Sequence, residues 1–340
     1  MTSKIKKILF FHTNSQLPEQ IWHSERAKTW TDMGYDTEVV TLPKNLKFRY
    51  FKPLEKLWLS NDQDLLNFYA VLINKINQCD LFIHFGGGMI YPEILKQINS
   101  NVTKVYHCAD DPESSNLLSK PVAKYYDHCA ISNIAEIQRY KSWGVKNIFF
   151  WPLGAINYKD EYFETIENTS FEQRKHDIGF IGAKYGTPKF GRIGKVLGLY
   201  NKKTDMNKIL NEVPQLVGYG TLWDNGYIKI ENILDFYTNI KMGINIHNST
   251  GPINSRLFDL NAFGICQLCD NKSFLGEIYE LDNEVIGFDT IPEAISKIRY
   301  YINNVNEAKG IAFKGRERYL KNYTSKEILK ILISRINNNY

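Results

Sequence analysis

Four groups of residues in this 340-residue chain have the types and spacing to do chemistry. The richest is Gly251-Pro252-Ile253-Asn254-Ser255-Arg256-Leu257-Phe258-Asp259, in which Asn254 or Ser255 suits a helix N-cap and Arg256 falls in the first turn. A cation beside free helix N–H groups is a phosphate site, and Asp259, three residues on, lies on the same face within reach of a ribose. The plain alternative is that Arg256 and Asp259 pair as a surface salt bridge. The second group is Tyr106-His107-Cys108-Ala109-Asp110-Asp111-Pro112, two carboxylates directly after an apolar run. A carboxylate there can take the proton of an attacking hydroxyl, and the same residues can equally make an Asp-Pro turn. His12, after Ile8-Leu9-Phe10-Phe11, is a further candidate in the same half, or a local hydrogen-bonding residue. The fourth, Lys44 to Trp58, interleaves cations with large aromatics. It suits a membrane surface or a nucleic acid strand, and equally a segment whose aromatics are buried while its cations stay wet.

The elements that must position these residues alternate along the chain. Short apolar runs at 7–12, 35–42, 80–85, 104–108, 128–131 and 147–151 are separated by helical stretches, the pattern of a parallel sheet covered on both faces. From about 155 to 176 the chain turns polar and acidic and reads as a linker. Alternation restarts at 177–181, 215–218, 242–246, 265–269 and 284–288, and helices close the chain from about 292 to 335. The expected fold is two tandem doubly wound α/β domains. Their boundaries are expected at 1–155, 156–176 for the linker, 177–323, and 324–340 for a last helix. Ligands of such sheets sit at the carboxyl ends of the strands, which favours a cleft between the domains.

Composition excludes several classes. The chain is 43% hydrophobic and 23% charged, ordinary for a globular protein. A net charge of +5 is too weak by itself to mark a nucleic-acid protein. The apolar run at the N-terminus is too short for a signal peptide, and an intracellular, cytoplasmic location is the expectation. Five scattered cysteines are no disulfide framework, and Cys266 and Cys269 stand three apart on a strand-like run, pointing to opposite faces. There is no G-x-G-x-x-G, and 186–193 lacks the Lys and Ser/Thr of a P-loop. Asp62-Gln63-Asp64 opens a helical stretch, where acidic residues serve as caps.

The run Arg256-Leu257-Phe258-Asp259-Leu260-Asn261-Ala262-Phe263-Gly264 resembles the nucleotide-sugar segment of GT-B glycosyltransferases, above all the group-one-like transferases that include the CgeB-like proteins. Asp259 stands where those relatives usually carry the Glu that holds the donor ribose, and Gly251 where many carry a second Glu that contacts the sugar. Asp177–Gly182 with Lys184, Lys189 and Arg192 resembles the strand and basic loop that open the donor domain, which implies that Lys189 and Arg192 meet the diphosphate. Val217-Gly218-Tyr219-Gly220 resembles the strand and turn against which the base rests, which makes Tyr219 a donor-binding candidate. Asp110 looks like the strand-end Asp that acts as base in CgeB-like proteins and in phage DNA glucosyltransferases.

The resemblance implies a GT-B transferase moving a sugar from a nucleoside diphosphate, most simply a UDP-sugar, to an acceptor hydroxyl on a glycan, a protein or a modified DNA base. It implies no cofactor and no metal, since cations surround the diphosphate. A sugar-nucleotide epimerase of the same fold and a non-catalytic binding protein are the alternatives.

Overall fold

The computed structural model describes residues 5–12, 17–46, 48, 50–109, 111, 114–155, 166, 170–184, 202–247, 254–272 and 274–337. They form two compact units, one of Met1–Asn157 with Ser325–Tyr340 and one of Tyr158–Thr324.

The first unit is a six-stranded parallel sheet. Its strands are β1 (Lys7–His12), β2 (Asp36–Thr41), β3 (Leu81–Phe85), β4 (Thr103–His107), β5 (His128–Ile131) and β6 (Ile148–Phe150). Their order across the sheet is β2-β1-β3-β4-β5-β6, so the chain builds one edge, returns past β1 and builds the other. The crossovers carry α1 (Leu17–Asp32), α2 (Phe51–Leu59), α3 (Gln63–Ile76), α4 (Pro92–Leu95) and α5 (Ile137–Ser142). Apolar residues on α3 recur at helical spacing, and Leu65, Tyr69, Leu72 and Ile76 are all buried. Asp62 caps that helix by accepting from the Leu65 N–H at 3.0 Å, while Asp64 lies in its first turn. The acidic pair therefore starts a helix, as its place before an apolar helical run predicts.

The Lys44–Trp58 stretch resolves toward burial. Leu46, Phe48 and Leu54 belong to the unit's core, and Phe51, Leu57 and Trp58 pack against it. Trp58 and Phe51 both stack on Tyr91, with centroids 4.8 and 5.8 Å away. Among its described aromatics only Tyr50 is exposed, so the stretch offers no row of rings to a membrane or a nucleic acid strand.

The second unit is a five-stranded parallel sheet: β7 (His176–Ile181), β8 (Val217–Tyr219), β9 (Ile240–Asn245), β10 (Cys266–Asp270) and β11 (Ile286–Phe288). The order is β11-β10-β9-β7-β8, the same winding as the first sheet, with the reversal between β7 and β9. Its helices are α6 (Lys202–Glu212), α7 (Ile230–Thr238), α8 (Arg256–Ala262), α9 (Leu275–Ile278), α10 (Ile291–Asn303) and α11 (Val305–Asn322). The polar stretch before β7 is not simply a solvated linker. Arg174 is buried and donates to the carbonyls of Ile240, Gly264 and Phe263 at 2.8–3.1 Å. Three carbonyls satisfy a guanidinium well enough to bury it, although burial lowers its pKa to about 10.

The last helix, α12 (Ser325–Asn337), belongs to the first unit and packs against α1. Two indoles tie it down. Trp30 Nε1 donates to the Ser325 carbonyl at 3.1 Å, and Trp151 Nε1 to the Ile328 carbonyl at 2.9 Å. Both tryptophans are fully buried. Trp151→Phe removes the indole's hydrogen bond and opens space, and should lower stability by about 2–3 kcal/mol. Urea unfolding of the two proteins checks this; equal unfolding free energies would show that the indole anchor contributes nothing.

Candidate functional site

Open α/β sheets bind ligands where the winding reverses, outside the carboxyl ends of the strands. In the second unit that point lies between β7 and β9, and Arg256 spans it. Its Nε and Nη2 donate to the carbonyl of Ile181, the last residue of β7, at 3.0 and 2.6 Å. Its Nη1 donates to Asn245 Oδ1, at the end of β9, at 3.2 Å. The guanidinium also lies over the Phe180 ring, 4.5 Å from the centroid. These contacts use one N–H on each nitrogen; a guanidinium has five, so one on each terminal nitrogen has no partner among the described residues. Arg256 is partly exposed at this edge.

Neighbouring residues hold Arg256 there. Asn254 Nδ2 also donates to Asn245 Oδ1, at 2.8 Å, and Asn254 Oδ1 accepts from the Leu257 N–H at 3.2 Å. Of the two cap candidates, Asn254 therefore caps α8, and Ser255 makes no side-chain cap bond. Gly182 follows Ile181 with φ +149°, and a Cβ there would stand 2.4 Å from Arg256 Nη2. Gly220 after β8, with φ +128°, has no room either: its Cβ would lie 2.5 Å from the Gly182 carbonyl oxygen. Two strand-end glycines thus let the backbone close up beneath the arginine.

Asp259 is buried on the first turn of α8. Its charge raises the Tyr237 hydroxyl, together with burial as the larger cause, and opposes the lowering that burial imposes on the Arg256 guanidinium. A solvated surface pair is excluded, because Asp259 is buried and the guanidinium is directed to Ile181 and Asn245. Tyr219 ends β8 half-buried, its ring edge-on to Phe236 at 5.0 Å. Lys189, Arg192 and Gly251 lie outside the described residues.

Sequence reasoning missed Asn245, Tyr237 and a pair on the neighbouring strand ends. His247 Nδ1 lies 2.5 Å from Asp270 Oδ1, and the His247 main-chain N–H donates to Asp270 Oδ2 at 3.0 Å. Both residues are buried. Polar residues closing apolar strands, Asn245 after Met242-Gly243-Ile244 and Asp270 after Cys266-Gln267-Leu268-Cys269, were the available signal. His247, Cys269 and Asp270 offer ligand atoms within 4.8 Å of one another. Burial and the Asp270 charge push the Cys269 thiol well above its ordinary range.

In the first unit the reversal lies between β1 and β3, where His12 pairs in register with Phe85. His12 is buried, and its ring packs 4.0 Å from that of His23 on α1. His107, closing β4, stacks on Phe85 at 4.4 Å and donates from Nδ1 to the Ala130 carbonyl. Asp110 lies outside the described residues. Asp111 corrects an expectation, since as a buried carboxylate it is not placed to take the proton of an attacking hydroxyl. It is buried, with Oδ2 accepting from Ser119 Oγ at 2.6 Å and from the Tyr140 hydroxyl. Two hydroxyls that need an acceptor in the core explain its inward turn.

A glycosyl transferase-like family model matches residues 204–334, somewhat under half of the chain. No curated protein matches the sequence. Solved structures share the fold at low identity. A glycosyltransferase from Rickettsia africae superposes with a TM-score of 0.62 at 12% identity, covering 97% of each chain. Sucrose-phosphate synthase from Thermosynechococcus elongatus gives 0.59 at 10%, over 98% of this chain and all of that one. HepE from Anabaena, solved with UDP, gives 0.57 at 12%, with the same coverage. No helix among the described residues is long and apolar enough to cross a membrane.

The buried histidines make stability depend on pH. Burial pushes both His84, beside the Tyr126 hydroxyl, and His107 down to about 3. They stay neutral in the folded unit and regain their ordinary value near 6.5 when it unfolds. Their contribution is complete above about 6.5 and drains away as pH falls toward 3, because the unfolded chain binds protons that the folded one does not. Between pH 7 and pH 5 the pair should lose roughly 3–4 kcal/mol. Urea unfolding at pH 7, 6 and 5 measures this, and an unchanged free energy would contradict it.

Proposed function

We infer that this chain, a glycosyltransferase by its domain and its fold, moves a sugar from a UDP-sugar to an acceptor hydroxyl without a metal ion. One observation supports this most: the guanidinium of the half-buried Arg256 spans the winding reversal of the second sheet with N–H groups unpartnered among the described residues, the place and chemistry for a diphosphate. Two lines support uridine as the base: the family resemblance of the donor segment and the UDP held by HepE.

In this reading the donor's diphosphate takes the remaining N–H groups of Arg256, with Lys189 and Arg192 adding charge and the Ser255 hydroxyl adding a hydrogen bond. Asp259 accepts from the ribose hydroxyls, and Asn254 sets the arginine. The acceptor oxygen attacks the anomeric carbon as the bond from that carbon to the phosphate oxygen breaks. The bonding pair leaves with UDP, and Arg256 stabilises its charge. The proton of the acceptor goes to Asp110, three residues after β4. His12, packed on His23, is the second candidate for that proton. Asp111 supports the turn from within the core. The acceptor is a glycan, a protein or a modified DNA base, and a donor-plus-acceptor screen read by mass spectrometry identifies it.

Labelled UDP-sugars separate this reading from its rivals. Free UDP that forms with an acceptor marks transfer, an isomerised sugar nucleotide marks an epimerase, and binding without turnover marks a binding protein. Asp259→Ala should weaken UDP binding by about 1–3 kcal/mol, the cost of a lost charged hydrogen bond, while the protein stays folded. Calorimetry giving equal UDP affinities would remove Asp259 from the ribose. Transfer should also persist in excess EDTA; complete loss that Mn²⁺ or Mg²⁺ restores would place a metal in the reaction.

A further inference from the structure

The His247–Asp270 pair has a geometry that ordinary packing does not explain. It sits at the carboxyl ends of β9 and β10, two residues beyond the Asn245 that holds Arg256. Asp270 grips His247 twice, at Nδ1 and at the main-chain N–H. A carboxylate accepts, so Nδ1 carries a proton, and in the neutral ring Nε2 then presents its lone pair. Nε2 is buried and has no hydrogen-bond partner among the described residues. A buried acceptor left unpaired is costly, while the carboxylate that fixes its tautomer is itself 1% exposed. Among the described residues, the charged and titratable groups around the pair are Cys269, whose Sγ falls in the same cluster, Lys272, 3.6 Å from Asp270, and Arg256, which feels the charge of Asp270.

We propose that His247 Nε2 accepts a hydrogen bond from a hydroxyl of the sugar being transferred, and that Asp270 is the positioning residue that holds a ring proton on Nδ1 and aims Nε2. The assignment rests on the donor reading above. It follows from chemistry and place together. With Nδ1–H committed to Asp270, Nε2 calls for a partner that donates, and a sugar hydroxyl donates where a phosphate oxygen does not. Arg256 takes the diphosphate and Asp259 the ribose, which leaves the hexose as the part of the donor with hydroxyls to offer at the next strand end. His247 thereby reads the sugar and not the nucleotide.

The test compares UDP with the tightest binder among UDP-glucose, UDP-galactose and UDP-N-acetylglucosamine, by calorimetry on the full chain. His247→Ala should weaken that nucleotide sugar about 3- to 10-fold and leave UDP unchanged. His247→Gln, which keeps an acceptor near the position of Nε2, should recover part of the loss. Asp270→Asn reverses the tautomer, because an amide N–H then donates to Nδ1, and should cost the nucleotide sugar more than UDP. Equal weakening of UDP and nucleotide sugar in folded His247→Ala and His247→Gln would overturn the proposal and make the pair structural. Unchanged affinity for both ligands in these variants would overturn it too. If the wild type binds neither UDP nor any of the three sugars, the donor reading fails first, and the inference with it.

Discussion

Arg256 must lie flat across the ends of β7 and β9, and much of the second unit's loop chemistry follows from that constraint. Its guanidinium needs acceptors on one side and a ring beneath it, which Ile181, Asn245 and Phe180 provide. Lying so close to the backbone, it admits no side chain at 182, and the turn after β8 folds onto the Gly182 carbonyl so tightly that 220 must be glycine as well. Asn245 then serves three partners at once, Arg256, Asn254 and, at 3.3 Å, Gln267. Such a network is stiff, and stiffness is what a charged group needs if it is to meet a diphosphate without reorganising.

The two units share a winding but not a chemistry. Where the first sheet reverses, the strand ends carry His12, its ring on that of His23, and Phe85, stacked on His107 one strand further. Where the second reverses, they carry a guanidinium, an amide and, on the next strand, a carboxylate. Aromatic and imidazole surfaces favour neutral, hydroxyl-bearing partners; the guanidinium favours anions. The same fold thus carries two differently tuned strand ends, as expected when function is placed on loops and strand termini and the scaffold is left alone.

Much of the fold was legible because buried parallel strands are short, uninterrupted apolar runs, and the runs ending at His12, Phe85 and Ile131 leave no other element to choose. The polar segment before β7 was harder. Residue types at 172–175 read as solvated, while Arg174 is in fact satisfied by three carbonyls from distant parts of the unit, which no local pattern encodes. The same limit applies at the site. Spacing placed Arg256 and Asp259 on one face, yet which amide caps the helix, that Asp111 turns inward and that His247 meets Asp270 all depend on partners 3–29 residues away. Side-chain direction at a strand end is a tertiary property.

The tethering of α12 bears on the order in which the chain can be made. The first unit is complete only when residues from both ends of the sequence are present, with the whole second unit encoded between them. During synthesis Trp30 and Trp151 emerge long before Ser325 and Ile328, the carbonyl partners of their indoles. A growing chain must therefore carry the six-stranded first sheet and α1 without α12, with a helix-sized apolar flank uncovered, until that helix is made. Closure of the first unit thus waits until α12 has been made, after every strand of the second unit.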